Sequence, residues 1–232
     1  MWKAWIEWEK TNPLNLETEK AVYTRVIYAY KQAMMNMRFY PEIWYSAAEY
    51  AKSKSRESDA IEYMKNGIKA NKLSFLLHYQ FAENEESNHH ISEVRSTLES
   101  LVANLSQEYE KIQKMAEFMT LQLDAEDEAD GKLLQEASKE EWDVIVERQA
   151  RRRVQKEGIA REQEVRVENI ASETTNAWTA LMQAMRRAEG IKSARQIFAR
   201  ARKANPLSHH IFVASGTTAV DGGLTTSIDG VS

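Results

Sequence analysis

Three tryptophans set three residues apart open this chain, in the run Trp2-Lys3-Ala4-Trp5-Ile6-Glu7-Trp8-Glu9-Lys10. On a helix they form a band along one side with Ile6 beside Trp5, while Lys3, Glu7 and Lys10 fall opposite. An amphipathic helix of this kind must bury its apolar side against another element. One helix cannot bury three indoles against itself, so the rest of the chain must supply partners. Thr11-Asn12-Pro13 ends the segment, because proline disfavours the helical conformation in the residue before it. Met1 leads into the helix with no cap before it, an arrangement expected of a piece of something longer.

The same grammar returns downstream. Val22, Val26, Ile27, Tyr30 and Ala33 mark a second helix, for which Asn15 is the expected cap. Pro41 opens a third, where Trp44, Ala47 and Tyr50 repeat the three slots of Trp2, Trp5 and Trp8. A polar link, Ser53 to Ser58, leads to a helix with Ile61, Met64, Gly67 and Ile68. The third pair is expected to place Leu76, Tyr79 and Ala82 in the slots, with Glu83 where Glu9 stood, followed by Ile91, Val94, Leu98 and Leu101. Much later Trp178, Leu181 and Ala184 fill the slots again. Gly190 stands just past that helix end, and Ala194, Ile197, Phe198 and Ala201 mark its partner. An internal echo fixes the register: Lys69-Ala70-Asn71-Lys72-Leu73-Ser74 recurs as Lys203-Ala204-Asn205-Pro206-Leu207-Ser208. Helix pairs recurring at roughly 30–45 residues are the signature of an all-α solenoid. With only 8 glycines and 3 prolines in 232 residues, there are too few turns for a many-stranded fold.

This pattern divides the chain. Residues 1–103 hold about three helix pairs, and 172–215 a further pair and the start of the next. Residues 104–171 read as a charged helical insertion: two long helices around an acidic loop near 124–131, with Ser138 and Glu141 as a capping box opening the second. Residues 216–232 (Gly, Thr and Ser without an apolar stripe) are expected to be a disordered tail foreign to the repeats.

The composition excludes more than it assigns. Hydrophobic residues at 43% and charged residues at 28% suit a soluble, helix-rich protein. A net charge of -4 gives no overall attraction to nucleic acid. The absence of cysteine removes disulfides, thiolate metal sites and a cysteine nucleophile. No apolar run approaches the roughly 18 residues that span a bilayer, so no membrane role is expected. Phosphate-binding loops, nucleophile elbows and zinc-protease motifs are absent, so the expectation is no enzyme, no cofactor and no metal. Adjacent histidines at His89-His90 and His209-His210 diverge on a helix and read as helix-end residues. The acidic run from Glu126 resembles a calcium loop, but Ala137 stands where the bidentate glutamate belongs. The candidate contact for RNA or an acidic partner is the basic run Arg148, Arg151, Arg152, Arg153 and Lys156. No aromatics are interleaved there for base stacking, which favours a solvated or protein-binding face. The tryptophans and their counterparts (Trp2, Trp5, Trp8, Tyr30, Trp44, Tyr50, Tyr79, Trp178, Phe198) are expected to form the repeat core.

A first helix with aromatics at its first, fourth and seventh positions followed by glutamate resembles the HAT (half-a-TPR) repeat. Trp2, Trp5, Trp8 and Glu9 match it in full, and Tyr30-Gln32-Ala33 and Phe198-Arg200-Ala201 fit its second helix. Within that group, Trp2–Leu14, Arg25–Ala33, the Pro41–Tyr45 block, Lys65–Asn71 and Ala177–Arg187 resemble the large HAT subunit of cleavage stimulation factor and its fungal cleavage factor IA counterparts. The charged insertion is a feature of the fungal members. The resemblance implies a non-catalytic nuclear scaffold of pre-mRNA cleavage and polyadenylation, with the cytoplasm as a second compartment. It would act through other 3′-end processing subunits and meet RNA indirectly as part of a complex. The family's later repeats carry much of its homodimer contact and lie beyond this sequence, so a homodimer is expected to be compromised here. Two alternatives stand beside it: a splicing scaffold of the crooked-neck kind, whose more regular repeats lack such an insertion, and a direct RNA-binding module using the helix at 148–156.

Overall fold

A computed structural model describes residues 1–135, 138–204, 206 and 211. Among them there are eight helices and no strand. They are α1 (Trp2–Lys10), α2 (Glu19–Asn36), α3 (Pro41–Ser53), α4 (Glu57–Ala70), α5 (Phe75–Ser87), α6 (Ile91–Leu133), α7 (Lys139–Glu189) and α8 (Ile191–Ala201). The expected all-α solenoid grammar is present. The 216–232 tail lies outside the described residues.

The described residues form two compact units, Met1–Leu101 with Ala184–Gly190, and Val102–Gln183 with those from Ile191 onward. In the first, α1 pairs with α2 and α3 with α4, and α5 packs on both α3 and α4. Three second-helix residues, Tyr30, Met64 and Leu98, stand 34 residues apart and are all buried. Small or apolar partners follow each by three: Ala33, Gly67 and Leu101. Gly67 is the tightest of these seats, since a Cβ there would lie 2.8 Å from Trp44 Cβ and 3.0 Å from Leu77 Cδ1. The third and fifth helices approach the fourth at the one place where it has no side chain. The end of α7 belongs to the same unit. Arg187 donates to both carboxylate oxygens of Glu86 (2.7 and 2.8 Å), and Arg95 donates to Glu189 (2.6 Å).

Helix ends follow local chemistry. Thr18, not Asn15, caps α2, its hydroxyl accepting from the Ala21 N–H, while Asn15 sits at a positive φ in the preceding turn. Asn12, also at positive φ, closes the turn by bonding the Leu16 N–H and carbonyl with its side-chain amide. Ser138 and Glu141 exchange backbone and side-chain bonds as the capping box requires. Gly190, at φ +89°, separates α7 from α8, a conformation that other residues adopt only with strain.

The acidic loop expected near 124–131 does not exist. Those residues are helical within α6, and the chain reverses after Leu133. Isolated, five acids in seven residues would repel one another along a helix. Here the second unit supplies their counter-charges.

Candidate functional site

The inserted region is an antiparallel helix hairpin, from Val102 along α6 and back along α7. Its inner positions on α7 are Ile145, Gln149, Arg152, Lys156, Ile159 and Gln163, alternating by four and three residues as in a coiled coil. Every one of them is buried or half-buried, between exposed neighbours. On α6 the facing positions include Leu105, Ala116, Leu123, Asp127 and Asp130. Gln163 donates to Gln113 across the pair at 2.8 Å.

Toward the turn, the seam is ionic. Arg148 donates to Asp130 (3.2 Å), and Arg152 donates to Asp127 (2.6 Å) and to the second carboxylate oxygen of Asp130. Lys156 donates to both Asp124 and Asp127 at 2.6 Å. Cations four residues apart on one helix thus interlock with aspartates three apart on the other. Arg152 is 6% exposed, and Glu126 lies 3.7 Å from it. Lys156 and Arg152, in that order, hold the Asp127 carboxyl below its ordinary value of 3.8. Asp130 and Asp127 raise Arg152, and Asp124 and Asp127 raise Lys156. A polar seam of this sort gives little net stability but specifies register, because any slip leaves a charge facing the wrong neighbour.

The basic run is therefore divided by its helix. Arg152 and Lys156 face inward to the acids, and Arg148, itself exposed, reaches Asp130 from the edge of the seam. Arg151 pairs within its own helix to Glu147 (2.6 Å), and Arg153 is exposed. The five residues do not converge on one surface. The acidic and basic stretches, read in sequence as two separate features, are two sides of one ladder.

The aromatic residues of the repeats fall in three classes. Tyr30 and Trp178 are buried, and the Arg200 guanidinium lies over the Trp178 ring at 5.7 Å. Trp2, Trp5, Trp44, Tyr50, Tyr79 and Phe198 are half-buried. Trp2 meets Trp5 at 5.7 Å, Tyr23 stacks on Tyr50 at 5.9 Å, and Lys10 lies 5.6 Å from the Tyr30 and Tyr50 rings. Trp8 stands apart at 50% exposure and does not belong to the core. Its displacement follows from helix geometry: each three-residue step turns the direction by roughly 60°, so the third indole swings out of the band.

Burial also moves the third repeat's register by two residues. The least exposed positions of α1 include Trp2, Trp5, Ile6 and Glu9, and α3 repeats this spacing with Trp44, Ala47, Ala48 and Ala51. In α5 the matching set is His78, Phe81, Ala82 and Glu85, so Tyr79 and Glu83 are not the equivalents of Trp5 and Glu9. Tyr79 instead meets Phe75 edge-on at 5.4 Å. Glu9 is 3% exposed and takes a two-pronged bond from Arg25 (2.7 and 2.8 Å) and one from the Trp5 indole (3.2 Å). Arg25 holds its carboxyl below the ordinary range. The equally buried Glu85 sits 2.8 Å from His90 Nδ1, which accounts for one member of the first histidine pair. The second pair lies outside the described residues. His78 keeps its proton on Nδ1 to donate to the Ser74 carbonyl at 2.7 Å, and burial pushes its pKa down.

Among the described residues, no three His, Asp or Glu side chains are grouped to hold a metal ion. No helix among the described residues is long and apolar enough to cross a membrane. The geometry offers helix surfaces and a hairpin with an ionic seam.

Comparison with known proteins agrees with the repeat reading. A family model described as Suppressor of forked protein (Suf) matches residues 1–219. The chain is 34% identical over 214 residues to mRNA 3′-end-processing protein rna14 of Schizosaccharomyces pombe, covering 92% of this chain and 26% of that protein. It is 32% identical to the protein of the same name in Aspergillus oryzae, over 93% of this chain and 22% of the relative. In Yarrowia lipolytica the figures are 27%, 92% and 22%. The chain thus spans about a quarter of the length of these relatives.

Proposed function

Because the chain belongs to the Suppressor of forked family, we propose that it forms part of a non-catalytic scaffold in nuclear pre-mRNA 3′-end processing, working through protein–protein contacts. The observation that carries this reading is the family match across residues 1–219, joined to relatives named for mRNA 3′-end processing. The structure fits the role in two ways. Helix pairs such as α1–α2 and α3–α4 present continuous surfaces of the kind solenoids use for partners. The helix hairpin of α6 and α7 carries its own ion ladder, which suits a second surface for partners.

The same ladder weighs against RNA binding through the basic helix. Arg148, Arg152 and Lys156 are already neutralised by Asp124, Asp127 and Asp130. In this reading RNA is met chiefly through partner subunits, and no catalytic step belongs to the chain. The crooked-neck alternative is disfavoured by the long insertion and by the names of the relatives. Affinity purification of the tagged full-length natural protein from its own cells tests the proposal. Cleavage and polyadenylation subunits should co-purify after nuclease treatment. Recovery of splicing subunits alone would overturn it.

A further inference from the structure

We propose that the loop joining α2 to α3 is a stacking site for single-stranded RNA, built from Phe39 and Tyr40 with Arg38 and Lys31 as phosphate contacts. Phe39 is 71% exposed, Tyr40 60%, and Met35, one turn before on α2, 75%. Consecutive aromatic rings left in water would ordinarily belong to a loose segment, and this one is pinned. The Arg38 carbonyl accepts from the Trp44 indole N–H at 2.8 Å and from the Asn71 amide at 3.0 Å. The Tyr40 N–H donates to the Met37 carbonyl at 3.1 Å, and Tyr40 itself leads directly into α3. The loop is thus tied to its own helix pair and to the link after α4. Folding gains nothing from exposing the two rings, yet the backbone holds them in fixed places.

The charge around the rings is mainly positive. The Arg38 guanidinium lies 5.3 Å from the Phe39 centroid, and Lys31 stands one turn before Met35. Asn71, which holds the loop, is flanked in sequence by Lys69 and Lys72. From Met35 to Trp44 the one acid is Glu42. Aromatic faces beside cations, in a chain that is acidic overall, are the elements of sequence-tolerant single-strand binding: bases stack on the rings and phosphates meet the cations. The basic run of α7 lacks this combination, having cations without aromatics. Exposed aromatic rings beside arginine also suit an acidic protein segment, and the competition arm of the test separates that occupant from RNA. The choice of RNA rests on the 3′-end processing reading, but the surface does not.

Fluorescence anisotropy with a labelled single-stranded oligoribonucleotide of about 20 nucleotides, at about 50 mM salt, tests the site. The chain should bind with micromolar or weaker affinity, and Phe39→Ala/Tyr40→Ala should weaken binding by about 10-fold or more. The melting temperature should stay unchanged, since both rings are exposed. Arg151→Glu/Arg153→Glu should reduce binding less than the aromatic pair does. Equal affinity of the aromatic variant and the parent, or no binding by the parent, would overturn the inference. Displacement of the RNA by polyglutamate at equal concentration would also overturn it, in favour of an acidic protein segment. Co-purification with processing subunits is a separate readout, so either proposal can fail while the other stands.

Discussion

The same substitution at two glycines should move stability in opposite directions. Gly67 and Gly158 both lie inside helices, where replacing glycine by alanine gains about 1 kcal/mol from backbone entropy. At Gly158 nothing beyond the local helix backbone lies within 4 Å of the new Cβ, so the gain should appear undiminished. At Gly67 the Cβ would sit 2.8 Å from Trp44 Cβ, 3.0 Å from Trp44 Cγ and 3.0 Å from Leu77 Cδ1. Trp44 cannot yield cheaply. Two of these atoms are next to its backbone, and its indole is held on the Arg38 carbonyl. Overpacking of this kind costs about 1–3 kcal/mol. Set against the helix gain, Gly67→Ala should destabilise the first unit by up to about 2 kcal/mol and Gly158→Ala should stabilise the hairpin by about 1 kcal/mol. Urea titrations followed by far-ultraviolet dichroism and by tryptophan fluorescence would report both. A Gly67→Ala protein stabilised as much as Gly158→Ala would show that α3 and α5 do not close on α4 there. A destabilised Gly158→Ala would show that the hairpin's outer face is covered.

Two further perturbations address the ladder and the buried titratable groups. Arg152→Glu sets a fifth acid against Asp124, Glu126, Asp127 and Asp130, so amide exchange across 124–130 and 148–156 should accelerate while Met1–Leu101 stays unchanged. Arg153→Glu, on the exposed face, serves as the control, and equal exchange in both variants would refute the ladder. On acidification the two units should weaken in different ranges. His78 is held neutral by burial, with its folded pKa below the ordinary 6.5. The unfolded chain therefore binds the extra proton first, and the stability of the first unit should begin to fall as pH drops below that value. Asp127 has a folded pKa below 3.8, so its contribution to the hairpin is complete above that value and is lost as pH falls through the depressed one. Exchange rates that rise together in both units near pH 6 would contradict this separation.

Much of the fold was legible because aromatic spacing, proline and glycine report local geometry. The band of Trp2 and Trp5, the start of α3 at Pro41, the Ser138–Glu141 cap and the break at Gly190 needed no tertiary information. The errors have physical causes. In α5, Phe75, Leu76, Leu77, Tyr79 and Phe81 crowd together, so several registers give an apolar stripe. The true one places a neutral histidine, His78, in the slot that holds Trp2, Trp44 and Trp178 elsewhere. The acidic run reads as a loop in sequence because its counter-charges lie 18 to 32 residues away. The clue was present in spacing alone: aspartates at 124, 127 and 130 and cations at 148, 152 and 156 each keep to one helix face. Glu9 was visible as part of a motif, but its partner Arg25 was not, since nothing in sequence pairs α1 with that turn of α2.

The claim that this chain belongs to a 3′-end processing scaffold is tested most directly by depleting the full-length natural protein and mapping transcript 3′ ends across the genome. The account predicts transcripts that run past their normal cleavage sites within the time of depletion, with introns still removed. Normal 3′ ends accompanied by retained introns would contradict it and transfer the protein to splicing.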